Sequence, residues 1–188
     1  ANETACIGFA NNAHEGICIN FRDSTTNRYT VLEERLLRKR ISKLFRDKNK
    51  KFIAQNGSFD CGWLWYKDRI HVPKVWFDTL LAHHTLYPRQ PHNLGFLTAQ
   101  YTDHPYYKDE GKTWREGGDI NQFWEYNVKD CCITWAVYKA IQAELTKQNM
   151  NDFFFNHVMK LQPHLIAMQV GGIKADITLK DKIARELE

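Results

Sequence analysis

No apolar run in the 188 residues approaches the ~20 needed to span a bilayer, so the sequence gives no membrane-spanning segment. No basic-then-apolar leader precedes a small-residue cleavage site, so nothing reads as a signal peptide. The five cysteines (Cys6, Cys18, Cys61, Cys131, Cys132) are odd in number and never spaced C-x-x-C. That argues against a zinc knuckle or a disulfide scaffold and makes a reducing compartment the simpler reading. Internal repeats and low-complexity tracts are missing as well. What remains is ordinary globular material, 43% hydrophobic and 26% charged. At ~150 residues per domain, the length gives one domain and a remainder.

Net charge is +4 and unevenly placed. Between Glu33 and Lys51 nine Lys or Arg residues stand against Glu33, Glu34 and Asp47, so the basicity belongs to this segment alone. Such a run reads first as a solvated helix face and only permissively as a surface for phosphates.

Periodicity places the elements. Ala5–Ala10 and Gly16–Ile19 read as two strands joined by a turn over Asn11–Glu15. Val31–Arg46 reads as an amphipathic helix with Leu37, Ile41, Leu44 and Phe45 on its apolar face. Lys51–Gln55 is a short strand handing over to a helix at Gly57–Tyr66, and this alternation suggests an α/β layer fold. Further helices are expected over Phe77–Leu86 and His92–Tyr101, then an aperiodic loop over Asp103–Gly118. The span Asp119–Lys147 is a long helix with two apolar stripes. Trp124, Val128, Cys131, Trp135, Tyr138 and Leu145 form one; Tyr126, Asp130, Ile133, Val137 and Ile141 form the other. Asp130 therefore falls on an apolar face, where a carboxylate is costly unless paired or bound to metal. Phe154–Met168 continues in helical spacing with Pro163 expected to bend it. Gly171-Gly172 is a stop, and Thr178–Glu188 begins another charged helix.

Two short constellations carry chemistry. Asn56-Gly57-Ser58-Phe59-Asp60 stands where strand becomes helix, with Asp60 in the first turn, where the helix dipole favours a carboxylate. Tyr126-Asn127-Val128-Lys129-Asp130 sets a phenol and a carboxylate four apart on one helical face. Each alone is equally well explained structurally, as a helix-start aspartate and a buried Tyr–Asp hydrogen bond. Together, two aspartates can converge on a divalent cation. Oxygen ligands favour Mg²⁺ or Mn²⁺ over zinc, and the phenol can orient a water. That is the equipment of two-metal phosphodiester hydrolysis. Asp78, at a helix start, is read as a cap rather than a ligand.

The Asn56–Asp60 and Tyr126–Asp130 segments resemble the second and third motifs of the tyrosine-type DEDD 3′–5′ exonucleases. Ala5–Ala10 resembles the second strand of that domain; Phe77–Ala82 and His92-Asn93-Leu94 resemble its intervening helices. The likeness covers most of residues 4–147. It implies an α/β, RNase H-like (DnaQ-like) fold, a mixed β-sheet flanked by helices. Leu161–Met168 and Gly171–Asp176 resemble the start of the polymerase domain of family A DNA polymerases, especially phage-type ones. The implied organisation is an exonuclease domain over 1–150 and the start of a polymerase domain over 151–188.

By the resemblance, Asp130 binds the catalytic metal and Tyr126 holds the attacking water. Asp60 belongs to the same acidic cluster and reaches the second metal, and Asn56 contacts the 3′-terminal nucleotide. The implied cofactors are two Mg²⁺ or Mn²⁺ ions. The implied partners are single-stranded DNA 3′ ends or primer–template DNA and the polymerase domain of the same chain. The implied setting is the cytoplasm of a bacterium or a phage-infected cell, with no membrane.

One element of the pattern is missing. The family's first motif, Asp-x-Glu, precedes the strand at Ala5–Ala10, yet Ala1-Asn2-Glu3 offers only Glu3 and puts Ala1 where the aspartate belongs. The expectation is that the motif lies upstream of residue 1 and that this chain has the fold with little activity. Two alternatives stay open: a non-catalytic nucleic-acid-binding or spacer module of a polymerase, and a stand-alone exoribonuclease of the same superfamily.

Overall fold

The chain's structure is a computed structural model that describes residues 3–23, 26–110 and 119–187. Strands β1 (Cys6–Ala10) and β2 (Gly16–Asn20) form an antiparallel hairpin in which Gly8 faces Cys18. The turn between them is fixed locally: the Asn12 side-chain oxygen accepts the backbone N–H groups of His14 (2.7 Å) and Glu15 (2.8 Å). A two-residue pair, β3 (Arg22–Asp23) and β4 (Thr26–Asn27), follows.

Helix α1 (Val31–Phe45) starts at a reciprocal capping box: the Glu33 N–H donates to the Thr30 hydroxyl, and the Thr30 N–H donates to the Glu33 carboxylate. Of the apolar face expected for α1 only Ile41 is buried; Leu37 and Phe45 are half-buried and Leu44 is exposed. A chain of ion pairs supplies what the apolar contact does not. Glu34 takes Arg22 at 2.9 Å and Arg38 at 2.7 Å, and Arg38 also pairs with Asp68. The Arg38 guanidinium lies 4.7 Å over the ring of Phe21, which is fully buried. The other basic side chains of this segment are exposed.

Strand β5 (Ile53–Ala54) runs into helix α2 (Gly57–Asp68), and β6 (Phe77–Asp78) pairs with β5 in parallel. Phe77 and Asp78 thus belong to a strand and not to the helix expected over Phe77–Leu86. Helix α3 runs from Thr79 to Leu86, and its start is fixed by the Asp78 side chain, which accepts the N–H groups of Leu80 and Leu81. Helix α4 (Leu94–Tyr101) is capped by Asn93 in the same way. Residues 103–109 have neither helix nor strand, as expected of this loop; its remainder at 111–118 lies outside the described residues. Helix α5 (Ile120–Lys147) is capped by Asp119. Then α6 (Asn151–Phe153) passes through a π-helical turn at Phe154–Val158 into α7 (Met159–Gly171), which contains Pro163. The chain leaves α7 at Gly172 with φ +66°, a left-handed value suited to glycine, and ends in α8 (Ile177–Leu187).

Antiparallel and parallel pairs together with flanking helices make the mixed α/β class expected, with the strands in three two-stranded pieces among the described residues. The core centres on Phe77, whose ring lies 4.9 Å from both Tyr138 of α5 and Phe154 of the π-helical turn. Met159, Gln162 and Ile166 of α7 are buried as well, and Met159 and Ile166 belong to this same hydrophobic core. On the other side, α5 lies directly on the hairpin. A Cβ at Gly8 would stand 2.2 Å from the Asn127 side-chain oxygen and 2.8 Å from the Cys131 sulfur. The absent side chain is what lets α5 come this close. No helix among the described residues is long and apolar enough to cross a membrane.

Candidate active site

The turn from β5 into α2 is built on an unusual backbone. Asn56 sits in the left-handed region (φ 58°, ψ 44°), which asparagine tolerates better than most residues, and its side chain makes no capping bond. Its backbone N–H is used instead, donating to Asp78 Oδ1 at 3.1 Å, while the Gly57 N–H donates to Asp78 Oδ2 at 2.8 Å. Asp78, 1% exposed, also takes the N–H groups that start α3 and, at 2.8 Å, the side-chain amide of Gln162 from α7. Burial pushes its carboxyl up and the four backbone N–H groups oppose that, leaving it raised. Every ligand of Asp78 is a donor fixed in the backbone or buried in the core. It is a cap and a joint between three elements, and none of its lone pairs points to an outside ligand.

The joint orients the other face of the turn outward. Asn56, Phe59 and Asp60 are exposed, and the Phe59 ring stacks on Trp63 with centroids 6.4 Å apart. Asp60 reaches solvent, yet the surrounding protein desolvates it, and with the Asp78 charge this pushes its carboxyl up to about 6. Among the described residues the Asp60 carboxylate makes no hydrogen bond, so its acceptor capacity is open.

Helix α5 supplies the second half. Asp130 is half-buried, as its apolar surroundings required, and it is paired: Oδ1 accepts the Lys108 ammonium at 2.6 Å and the Tyr107 hydroxyl at 2.6 Å. The same ammonium lies 3.1 Å from the Tyr126 hydroxyl oxygen, so Lys108 joins the phenol and the carboxylate that the sequence sets four apart. The Tyr107 phenol, 3% exposed, is raised well above the usual tyrosine range by burial, then by its bond to Asp130. Next to Asp130 in α5, the Cys131 thiol is pushed up to about 12 by burial, then by the charges of Asp130 and Asp60 among others. Among the described residues no hydrogen bond joins Asp60 to Asp130.

Glu3 is engaged elsewhere, 2.8 Å from Arg22 and 66% exposed. No three His, Cys, Asp or Glu side chains among the described residues are grouped so as to hold a metal ion. Two carboxylates, one already neutralised by an ammonium, do not fit a site for two divalent cations. Tyr107 and Lys108 are the participants the sequence does not reveal. They stand in an aperiodic loop, and only its path across α5 brings them to Asp130.

The family model for the 3′–5′ exonuclease domain of DNA polymerase A matches residues 3–146. No curated protein matches the chain.

Proposed function

Since the chain belongs to the DNA polymerase A 3′–5′ exonuclease family, we propose that it acts as the proofreading nuclease of a DNA polymerase. It would remove nucleoside monophosphates from DNA 3′ ends in concert with a polymerase domain. The family match over residues 3–146 carries this reading. The exposed Asn56, Phe59 and Asp60 at the start of α2 and the Tyr126–Asp130 pair on α5, joined by Lys108, support it.

In this reading Asp60, Tyr126 and Asp130 are the chain's share of the catalytic and metal-ligating set, and Asn56 meets the terminal nucleotide. Its side chain makes no capping bond in the turn, and the exposed Phe59 beside it offers a base a face to stack on. Nucleases of this family depend on divalent metal in general. A two-ion arrangement with Mg²⁺ or Mn²⁺ needs more carboxylates than these two, so low activity of residues 1–188 alone is part of the proposal. The exposed basic side chains of α1 add a surface suited to a polyanion. The setting proposed is the cytoplasm of a bacterial or phage-infected cell.

The test is degradation of a 5′-labelled single-stranded DNA with Mn²⁺, beside an RNA of the same sequence and beside Asp130→Ala. Slow stepwise shortening of DNA from its 3′ end, lost in Asp130→Ala, is the expected outcome. Preferential shortening of the RNA would favour an exoribonuclease. No shortening, with DNA binding intact, would favour a non-catalytic module.

A further inference from the structure

We propose that the outward face of α1, with the basic turn that follows it, holds double-stranded DNA by its phosphate backbone, behind the unpaired 3′ end. The proposal deepens the exonuclease reading and rests on it only for the choice of DNA as the polyanion.

The positive charge of this face is uncompensated. Arg35, Lys39, Arg40, Lys43 and Arg46 are exposed, as are the three lysines that follow. None of them pairs with an acid among the described residues. The acids of the segment are engaged elsewhere. Glu34 is taken by Arg22 and Arg38, Glu33 closes the capping box at the other end of the helix, and Asp47 accepts the Asn49 N–H at 2.9 Å. Like charges gathered in this way raise a local potential that attracts a polyanion. The helix beneath them is firmly mounted, because Arg38 turns inward to Glu34, to Asp68 and over the buried ring of Phe21. The cations are therefore presented on a fixed element, and binding does not have to order the backbone that carries them.

Position and composition select the paired part of the DNA. Arg38 ties α1 to Asp68 at the far end of α2. The stretch of α2 from Asp60 to Asp68 is about 12 Å long at ~1.5 Å per residue. A surface that far from Asp60 meets DNA beyond the terminal nucleotide. Unpaired DNA is held by rings that stack on its bases as well as by charge. Those rings are on α2, where Phe59 and Tyr66 are exposed and Phe59 stacks on Trp63. Residues 31–51 expose no aromatic side chain. What they offer is a row of cations from Arg35 to Arg46, about 16 Å long by the same helical rise. A duplex carries one charge per ~1.7 Å of its axis, so a row of that length faces nearly ten phosphates. Cations without rings read the backbone and not the bases, so the contact is independent of sequence.

The test is fluorescence anisotropy in EDTA with two probes, a blunt duplex of about 20 base pairs and an oligo(dT) of about 20 nucleotides, between about 50 and 200 mM salt. It compares the natural chain with a triple substitution, Lys39→Gln, Lys43→Gln and Arg46→Gln. A control triple, Lys174→Gln, Lys180→Gln and Lys182→Gln, removes the same charge from the exposed end of the chain around α8. A third variant, Lys39→Arg, Lys43→Arg and Arg46→Lys, keeps the charge in place. In the α1 triple the slope of log affinity against log salt for the duplex is expected to fall by about 2–3, at ~0.9 per phosphate contact, with binding at least about tenfold weaker at the lower salt. The slope for oligo(dT) should change by less than about 1. The control and the charge-keeping variant should hold the natural slope. All the substitutions are at exposed positions, so the four chains should melt together. An unchanged duplex slope in the α1 triple, or no duplex binding by the natural chain, would overturn the proposal. So would an equal fall in the control, which would make net charge the cause, or an equal fall for oligo(dT), which would make the face a track for unpaired DNA. Because binding is read without metal, a chain that degrades no DNA can still show the loss. A chain that shortens DNA while its duplex slope ignores α1 would sink the proposal and leave the exonuclease reading standing.

Discussion

Asp78 and Asp130 are both acids inside a folded chain, and they are satisfied in opposite ways. Asp78 receives four backbone N–H groups and one buried amide, from the α2 turn, the start of α3 and α7. None of these donors can leave without the fold opening. Asp130 receives one ammonium and one phenol, both from a loop, at a half-exposed position. Tyr107 is 3% exposed and belongs to the core, whereas the Lys108 side chain is 21% exposed on a flexible stem. A carboxylate bound by five fixed donors is part of the architecture; one bound through a single oxygen by side chains of a loop keeps its second oxygen open. The contrast matches the reading of Asp78 as a helix cap and adds the partners that hold each acid.

The comparison breaks most visibly in stability. Asp78→Ala would strand five donors at a buried junction and is expected to cost about 3–5 kcal/mol. In urea it should lower the midpoint with little change in slope. Asp130→Asn, at a half-exposed pair, is expected to cost under about 1 kcal/mol by the same measurement. Equal losses would mean that Lys108 is as structural as the backbone donors of Asp78, and the distinction would fail.

A smaller effect tests the platform beneath Asp130. Gly8→Ala would force the new methyl into the Asn127 oxygen and the Cys131 sulfur. Over-packing of this kind costs about 1–3 kcal/mol. Since α5 would have to lift off the hairpin, Asp130 should shift relative to Asp60. Any Mn²⁺ binding should then weaken more than in a variant of equal instability placed in the Phe77 core, such as Phe154→Leu. If the two variants lose Mn²⁺ binding in step, the hairpin–α5 contact supports the fold without positioning the site.

Much of this was legible in the residues. The hairpin, α1, α2, α5 and the acids of both constellations follow from period, turn chemistry and helix-start patterns. The parallel pairing at Phe77–Asp78 was not, because two residues carry no period and the cap that ends the strand also starts the helix. Nor was the joint at Asp78, since Gln162 lies 84 positions away and looks like any helical glutamine. Lys108 was hidden for a related reason: a loop residue acquires its partner only from tertiary path. Local rules read what neighbours in sequence do to each other, and both aspartates are distinguished by partners far along the chain.

The finest discrimination is in pH, where two groups of opposite sign can be separated. His83 Nδ1 lies 2.8 Å from His92 Nδ1, and His92 Nε2 lies 3.1 Å from His84 Nδ1. Neutral rings satisfy both contacts: His83 donates to His92, and His92 to His84. Burial, then the neighbouring histidine, lowers both the His83 and His92 values from about 6.5. The unfolded chain therefore takes up protons first as pH falls through about 6.5, and the stability these rings contribute is lost below it. Asp60 runs the other way. With its carboxyl raised from 3.8 to about 6, the folded chain takes up the proton first, so acidification through that window adds stability. His92→Gln should accordingly flatten the loss of urea midpoint between pH 7 and pH 5, and Asp60→Asn should steepen it. Any Mn²⁺ binding that uses Asp60 should weaken below about pH 6 as its carboxyl protonates. If that weakening persisted in Asp60→Asn and vanished in His92→Gln, the exposed acid at the start of α2 would be a bystander.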